Sequence, residues 1–169
     1  MSSLRFRPVA EFSERAESLF VAQHDRIQRA LPDADVQHVG STAVKGSITK
    51  GDLDINVRVP AHLFSAAVGV LTSLYAINQA QNWDEYFASF KDERSYDLDL
   101  GIQLTVMESP ADDFVWLRDL LNGAPWLVRQ LNELKDEYQG GDMDHYRTAK
   151  AVLLQNMKDR AKAPHSGSV

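Results

Sequence analysis

The sequence predicts an α/β chain in which a half built of strands and helices, to about residue 109, precedes an all-helical half. Three observations carry that prediction. Residues 53–59, LDINVRV, alternate apolar and polar types without a break, as a strand with one face on a core does. Residues 98–106 repeat the pattern. After Ser109-Pro110 the alternation gives way to three helical patterns in a row, with Asn-Gly and Gly-Gly stops between them.

The elements follow in order. Phe12, Ala16, Leu19, Phe20, Ile27 and Ala30 recur at helical spacing, so residues 9–30 are predicted as a helix that Pro32 stops. DVQHV is a short strand leading into Gly40-Ser41, and STAVKGSITK reads as a short, glycine-interrupted helix or turn. The strand over 53–59 places Leu53, Ile55, Val57 and Val59 on one face, and Asp52, Asp54, Asn56 and Arg58 on the other. Pro60 ends it and opens a helix over 61–75. Residues 76–91 are one or two strands with a turn near Asn82, and 92–95 are a turn. The next strand, 96–107, turns Leu98, Leu100, Ile102, Leu104 and Val106 inward, with Asp97, Asp99, Gln103 and Thr105 opposite. Gly101 within it marks a bulge or the close approach of another group. Helices are predicted over 112–123 with Asp112 as N-cap, over 124–139, and over 142–162. The small, polar residues 161–169 read as a disordered tail. The domain division expected is therefore 1–109, 110–160 and 161–169.

Composition narrows the function classes. The chain has 169 residues, 44% hydrophobic and 25% charged, enough for a core without staples. It has no cysteine, which removes disulfides, thiol nucleophiles and Cys-ligated zinc and fits a reducing cytoplasm. MSSLRFRPVAEFSERAE lacks the apolar region of a signal peptide, and no run approaches the roughly 20 apolar residues of a membrane span. The net charge of −6 argues against a general nucleic-acid binder, but not against a small anion held by local cations.

The residues that point to chemistry lie in VQHVGSTAVKGSITKGDLDINVRV. Asp52 and Asp54, at i and i+2 on a strand, point the same way about 7 Å apart. Half-buried, they repel, and a divalent cation relieves that cost by accepting both oxygens. Mg²⁺ in particular is held by one or two carboxylates plus substrate phosphates. The preceding Gly40 allows close backbone approach, and Ser41 at a helix start can offer its hydroxyl and nearby N–H groups to phosphate. Lys45 and Lys50 in the same connection add positive charge.

Apolar, Gly, Ser, ten residues, Asp, apolar, Asp resembles the signature of the nucleotidyltransferase superfamily, the DNA polymerase beta-like fold. HVGSTAVKGSITKGDLDI is similar to the core motif of the GrpB-like family within it. WLRDLLNGAPWLVRQLNELKDEY and DHYRTAK extend the likeness, so that it covers residues 5–158. The resemblance implies a mixed sheet with flanking helices and a C-terminal helical extension. It also implies Mg²⁺- or Mn²⁺-dependent transfer of a nucleotidyl group from an NTP to a hydroxyl or similar acceptor. Gly40 and Ser41 would hold the β and γ phosphates. Asp52, Asp54 and a third acid, Asp99, would bind the metals, and Asp99 is also a candidate base. Tyr146 and Lys150, at i and i+4 on one helix face, would steady the nucleotide, with Lys135 a weaker candidate.

The sequence departs from the family in two places. Many members carry an apolar residue where this chain has Asp52, so the acid pair is fuller here. The family's common His-Leu-His is Gln103-Leu104-Thr105 in this chain. If position 103 is the third ligand site, an amide stands where a carboxylate is wanted. That favours an alternative of another class, a nucleotide-binding regulatory or interaction protein with little or no turnover. The intact acid pair opposes it.

Blander roles stand beside these. Asp52, Asp54 and Asp99 are also what a solvated strand face would carry. His38 is either a substrate contact or a hydrogen-bonded structural histidine. Lys45 and Lys50 could be surface lysines, and Tyr146 and Lys150 packing residues. Trp83, Trp116 and Trp126 read as core or inter-helix packing. Arg118-Asp119 and the charges of NELKDEY read as solvated helix faces.

Overall fold

The structure is a computed structural model that describes residues 3–92 and 98–163. A short strand, β1 (Arg7–Pro8), and a single 3-10 turn, Val9–Glu11, precede helix α1 (Ser13–Ala30). Strand β2 (Asp35–Val39) leads into a 3-10 turn at Ser41–Ala43, then β3 (Ile48–Thr49) and β4 (Leu53–Val59). Helix α2 (Phe64–Leu74) and strands β5 (Ala76–Ile77), β6 (Phe87–Asp92) and β7 (Leu100–Val106) follow. The chain then runs through helices α3 (Phe114–Gly123), α4 (Pro125–Glu137) and α5 (Met143–Lys162).

Five strands form one mixed sheet in the order β2-β4-β7-β6-β5. Only β4 and β7 run parallel, and their register sets Asp54 against Gly101 and Asn56 against Gln103. β1 and β3 form a separate antiparallel pair. The alternation expected of β4 is met residue for residue: Leu53, Ile55, Val57 and Val59 are at most 1% exposed. With Leu100, Ile102 and Leu104 they pack on Ala16, Ile27, Ala67 and Leu71 of α1 and α2. Each such aliphatic side chain contributes about 1.5–3 kcal/mol by leaving water, so this face anchors the fold.

The opposite face of β4 and β7 is polar and is also covered. A second apolar cluster joins Val44 to Leu121, Val128, Leu131 and Met157 of α3, α4 and α5. A third joins Leu4 and Phe6 to Tyr146. Helices therefore bracket the sheet, and the site lies between its polar face and α3–α5.

Several local expectations change. Asp112 does not cap α3. Its carboxylate accepts from Arg58 Nε at 2.6 Å and Nη2 at 2.8 Å, and from the Glu108 backbone N–H at 2.8 Å. The forked, charge-assisted pair outcompetes a cap. Trp126 is not packed inside: it is 57% exposed. Trp83 does pack, against Phe90, and Trp116 lies under the Lys162 ammonium. Strand β7 begins at Leu100, so Asp99 precedes it, and Asp97 lies outside the described residues. The expected tail falls partly in α5, which runs to Lys162, and otherwise outside the described residues apart from Ala163. No helix among the described residues is long and apolar enough to cross a membrane.

Candidate functional site

The turn after β2 is built around Gly40, whose φ of 75° and ψ of −171° suit glycine alone. A Cβ there would collide with Asp54 Oδ2. Gly101, opposite Asp54 on β7, repeats the logic: its Cβ would stand 3.0 Å from Asp54 Oδ1 and 3.4 Å from Gln103 Nε2. Two glycines thus cradle one carboxylate. The close approach foreseen at Gly101 is that of Asp54.

Ser41 is fixed from several sides. Its carbonyl accepts from Ser47 Oγ at 2.6 Å, and its Oγ accepts from Lys135 Nζ at 3.0 Å. Next to it, Thr42 Oγ1 donates to the Asp52 carbonyl at 3.1 Å and lies 2.9 Å from His38 Nε2. His38 stacks on Phe20, and burial together with Arg118 lowers its pKa, against an upward pull from Glu17. Of its two readings, the hydrogen-bonded histidine that braces the turn is the one its contacts describe.

The helical extension grips this loop by its backbone. Asn122 donates to the Ala43 carbonyl and accepts from the Lys45 N–H, both at 3.0 Å. Asn132 pairs in the same way with Gly46 O and Ile48 N, both at 2.9 Å. Lys135 donates to the Ile48 carbonyl at 2.6 Å as well as to Ser41. NELKDEY is therefore not a solvated face throughout. Asn132 and Lys135 fall at i+4 and i+7 from Val128, on the stripe that faces the sheet. Polar side chains on an otherwise apolar helix stripe were the signal for them. Arg118 is likewise turned inward, donating to Gln37 Oε1 at 2.9 Å and the His38 carbonyl at 3.0 Å, although its Nε also meets exposed Asp119.

Two cavities meet at Asp54 and Gln103. One, of about 250 Å³, is lined by Gly40, Ser41, Lys135, Lys150 and Arg118 and walled by aliphatic side chains from α3–α5. The other, about 700 Å³ and more polar, takes in Lys50, Asp52, Asp99, Gly101 and Arg147. Asp54 is partly buried where the two cavities meet. Burial raises its carboxyl pKa, Asp52 adds to the rise, and Lys150, Gln103 and Lys50 oppose it. Among the described residues its side-chain hydrogen bond is a long one, 3.4 Å from Gln103 Nε2. Asp52 carries the Lys50 ammonium at 3.1 Å.

The cations are unusual too. Lys135 is 2% exposed, and burial, followed by repulsion from Lys150 and Lys50, brings its pKa down to about 7. Burial also lowers Lys150, against the pull of Asp54 and Asp52. Tyr146 is pushed up to about 12 by burial and by Asp52, and Lys150 Nζ lies 5.9 Å from its ring centroid.

Of the residues singled out from sequence, Gly40, Ser41, Asp54 and Lys150 share the smaller cavity. Lys50, Asp52 and Asp99 join Asp54 in the larger one. Tyr146 packs beneath, against Phe6 and Tyr138. Lys45 is a correction: its side chain is exposed and lines a separate groove with His38 and Asn122, because Asn122 holds its backbone on the far side of the turn. Asp99 is another. It is exposed, and its carbonyl is taken by Leu53 N–H at 2.8 Å. Among the described residues no three carboxylate or imidazole groups already stand close enough to hold an ion. The pair Asp52 and Asp54 still suits one hard cation that shares phosphate oxygens: the glycine cradle leaves room, and Asp54 has no short hydrogen bond among the described residues.

A family model described as GrpB protein matches residues 8–160. A UPF0157 protein of Vibrio cholerae serotype O1 is 29% identical over 159 residues, covering 94% of this chain and 84% of that one. Among solved structures, the conserved protein GrpB from Enterococcus faecalis is similar with a TM-score of 0.70 at 14% identity, over 86% of this chain and 92% of that one. The Cid1 poly(U) polymerase, solved with MgGTP bound, is similar with a TM-score of 0.53 at 12% identity, over 76% of this chain but only 42% of that one.

Proposed function

The chain belongs to the GrpB family, and we propose that it works as a nucleotidyltransferase: it binds a nucleoside triphosphate with Mg²⁺ and transfers the nucleotidyl group to a hydroxyl or similar acceptor. The observation that carries this reading is the convergence of the Gly40-Ser41 turn, Asp54 and Lys135 on one cavity. A glycine turn with a hydroxyl and a buried ammonium is an anion site. A carboxylate pair beside it suits a phosphate-bound cation.

Each residue then has work suited to its surroundings. Ser41 and Lys135 bind the phosphates distal to the reacting one, and Lys150 neutralises charge that develops on the leaving group. Asp52 and Asp54 hold Mg²⁺, which when bound supplies Lewis-acid polarisation of phosphoryl oxygens. The acceptor oxygen forms its bond to the α-phosphorus, the bond from that phosphorus to the bridging oxygen breaks, and pyrophosphate leaves. The acceptor's proton passes to solvent in the larger cavity, which Asp99 also lines. The larger cavity, on the Asp99 side of Asp54, is the place for the acceptor.

A second reading, a nucleotide-binding protein with little turnover, is favoured by one observation. Gln103 presents a neutral amide to Asp54 at 3.4 Å. Calorimetry with each NTP, with and without Mg²⁺, combined with pyrophosphate release over an acceptor panel, separates the two. Binding with release supports transfer, binding alone supports the second reading, and absence of binding removes both.

A further inference from the structure

We propose that the site takes one divalent cation with its nucleotide rather than two, and that the Lys50 ammonium stands where a second cation would neutralise Asp52. The proposal rests on the metal–nucleotide reading above.

Three independent observations support it. The first is the contact itself: Lys50 Nζ lies 3.1 Å from Asp52 Oδ2, with the two side chains 31% and 36% exposed at the mouth of the larger cavity. An ammonium at that distance competes directly for the oxygen a metal would use. The second is the ligand set among the described residues. Two-metal sites set their ions about 3.5–4 Å apart and need carboxylates enough to bridge and flank them. Here Asp99 is exposed before its strand, no three acid or imidazole groups assemble among the described residues, and the residue that reaches Asp54 from β7 is an amide. The third is charge. Asp52 and Asp54 already feel Lys50 and Lys150, and Lys135 is repelled by both of those lysines. Two carboxylates faced by three lysines can accept one divalent ion that arrives with phosphate. A second would have to displace the Lys50 ammonium from Asp52.

Lys50 is thus a positioning residue. It holds Asp52 in place and spares the site a second ion, and Gln103 keeps Asp54 from being bridged.

The test uses Mn²⁺ as the probe, with the non-hydrolysable α,β-methylene analogues of ATP, GTP, CTP and UTP supplied in turn. Free Mn²⁺ is followed by its paramagnetic resonance signal, so no turnover is needed. The wild-type protein is expected to take up one Mn²⁺ per bound nucleotide. Lys50→Met is expected to take up a second, or to bind Mn²⁺ without nucleotide at least tenfold more tightly. Lys50→Met combined with Gln103→Glu should reach two. Lys50→Arg, which keeps the charge, should return to one. Two Mn²⁺ per nucleotide in the wild type would overturn the proposal while leaving nucleotide binding intact, as would Lys50→Met curves identical to wild type. A wild-type protein that binds none of the analogues would overturn the functional reading and this proposal with it.

Discussion

Lys135 on α4 and Ser41 at the end of β2, 94 positions apart in the chain, meet at 3.0 Å inside the protein. The bond brings a nearly fully buried amine to the turn that the sequence marks for phosphate, and ties the helical extension to the sheet. Because the Lys135 pKa is lowered to about 7, the unfolded chain holds this proton more tightly than the folded one. The ligand-free protein should therefore gain stability as pH rises from about 7 toward the ordinary lysine value near 10.4, with a slope on the order of 1 kcal/mol per unit. Below about pH 7 the penalty is complete. Chemical denaturation across pH 6.5–10, comparing wild type with Lys135→Met, checks this: the variant should lack that slope.

The same amine should take up a proton when an anion arrives. Calorimetry at pH 8 in buffers of different ionisation enthalpy should reveal net proton uptake on nucleotide binding. Lys135→Met should abolish that uptake and weaken binding about 10–100-fold, the range of a charge-assisted hydrogen bond.

Gly40→Ala should damage the site more than Gly101→Ala. The first needs a left-handed backbone and drives a methyl into Asp54, whereas the second meets the carboxylate at 3.0 Å with an ordinary backbone. Strain of this kind costs about 1–3 kcal/mol. Thermal unfolding should order the stabilities wild type, Gly101→Ala, Gly40→Ala, and nucleotide affinity should fall in the same order.

Asp54→Asn should separate stability from function. Burial and Asp52 raise the Asp54 carboxyl pKa, so its charged form is a burden to the free protein at neutral pH. The contribution it makes in the protonated form fades as pH rises through its raised folded value. The amide should stabilise the ligand-free protein by about 1 kcal/mol while removing the Mg²⁺-dependent part of nucleotide binding.

Arg58 offers a contrast within the same polar face. It bridges Asp112 and Asp35 and lines neither cavity. Arg58→Met leaves Asp112, with a side chain 7% exposed, without its partner, and should cost roughly 2–4 kcal/mol. Arg58 also holds the Asp112 carboxyl below the usual range. The wild-type advantage is therefore full above about pH 4 and is lost as pH falls through that lowered value. Urea denaturation at pH 7 and pH 3 reads both effects, and nucleotide affinity at pH 7 should be unchanged.

Much of this was legible because it is local. β4 is the clearest case, since seven alternating residues dictate both its bounds and its buried face. β2 and the start of the glycine turn were equally plain. β1 and β3 were not, because two-residue strands carry no period and exist only through their mutual pairing. At the site, Gly40, Ser41 and the acid pair are written in one continuous segment. The inward turn of Asn132, Lys135 and Arg118 depends on which helix face meets the sheet, a tertiary choice that overrides the charged look of those segments. Gln103 was visible as a departure, but its contact with Asp54 follows from the parallel register of β4 and β7, which neighbouring residues do not encode.

The most direct test is calorimetric titration of the wild-type and Asp54→Asn proteins with each NTP, in Mg²⁺ and in EDTA. The wild type should bind at least one NTP, at least tenfold more tightly with Mg²⁺, and Asp54→Asn should lose that difference. Absence of binding by the wild type, or Mg²⁺-dependent binding that survives in Asp54→Asn, would contradict the assignment of this cleft.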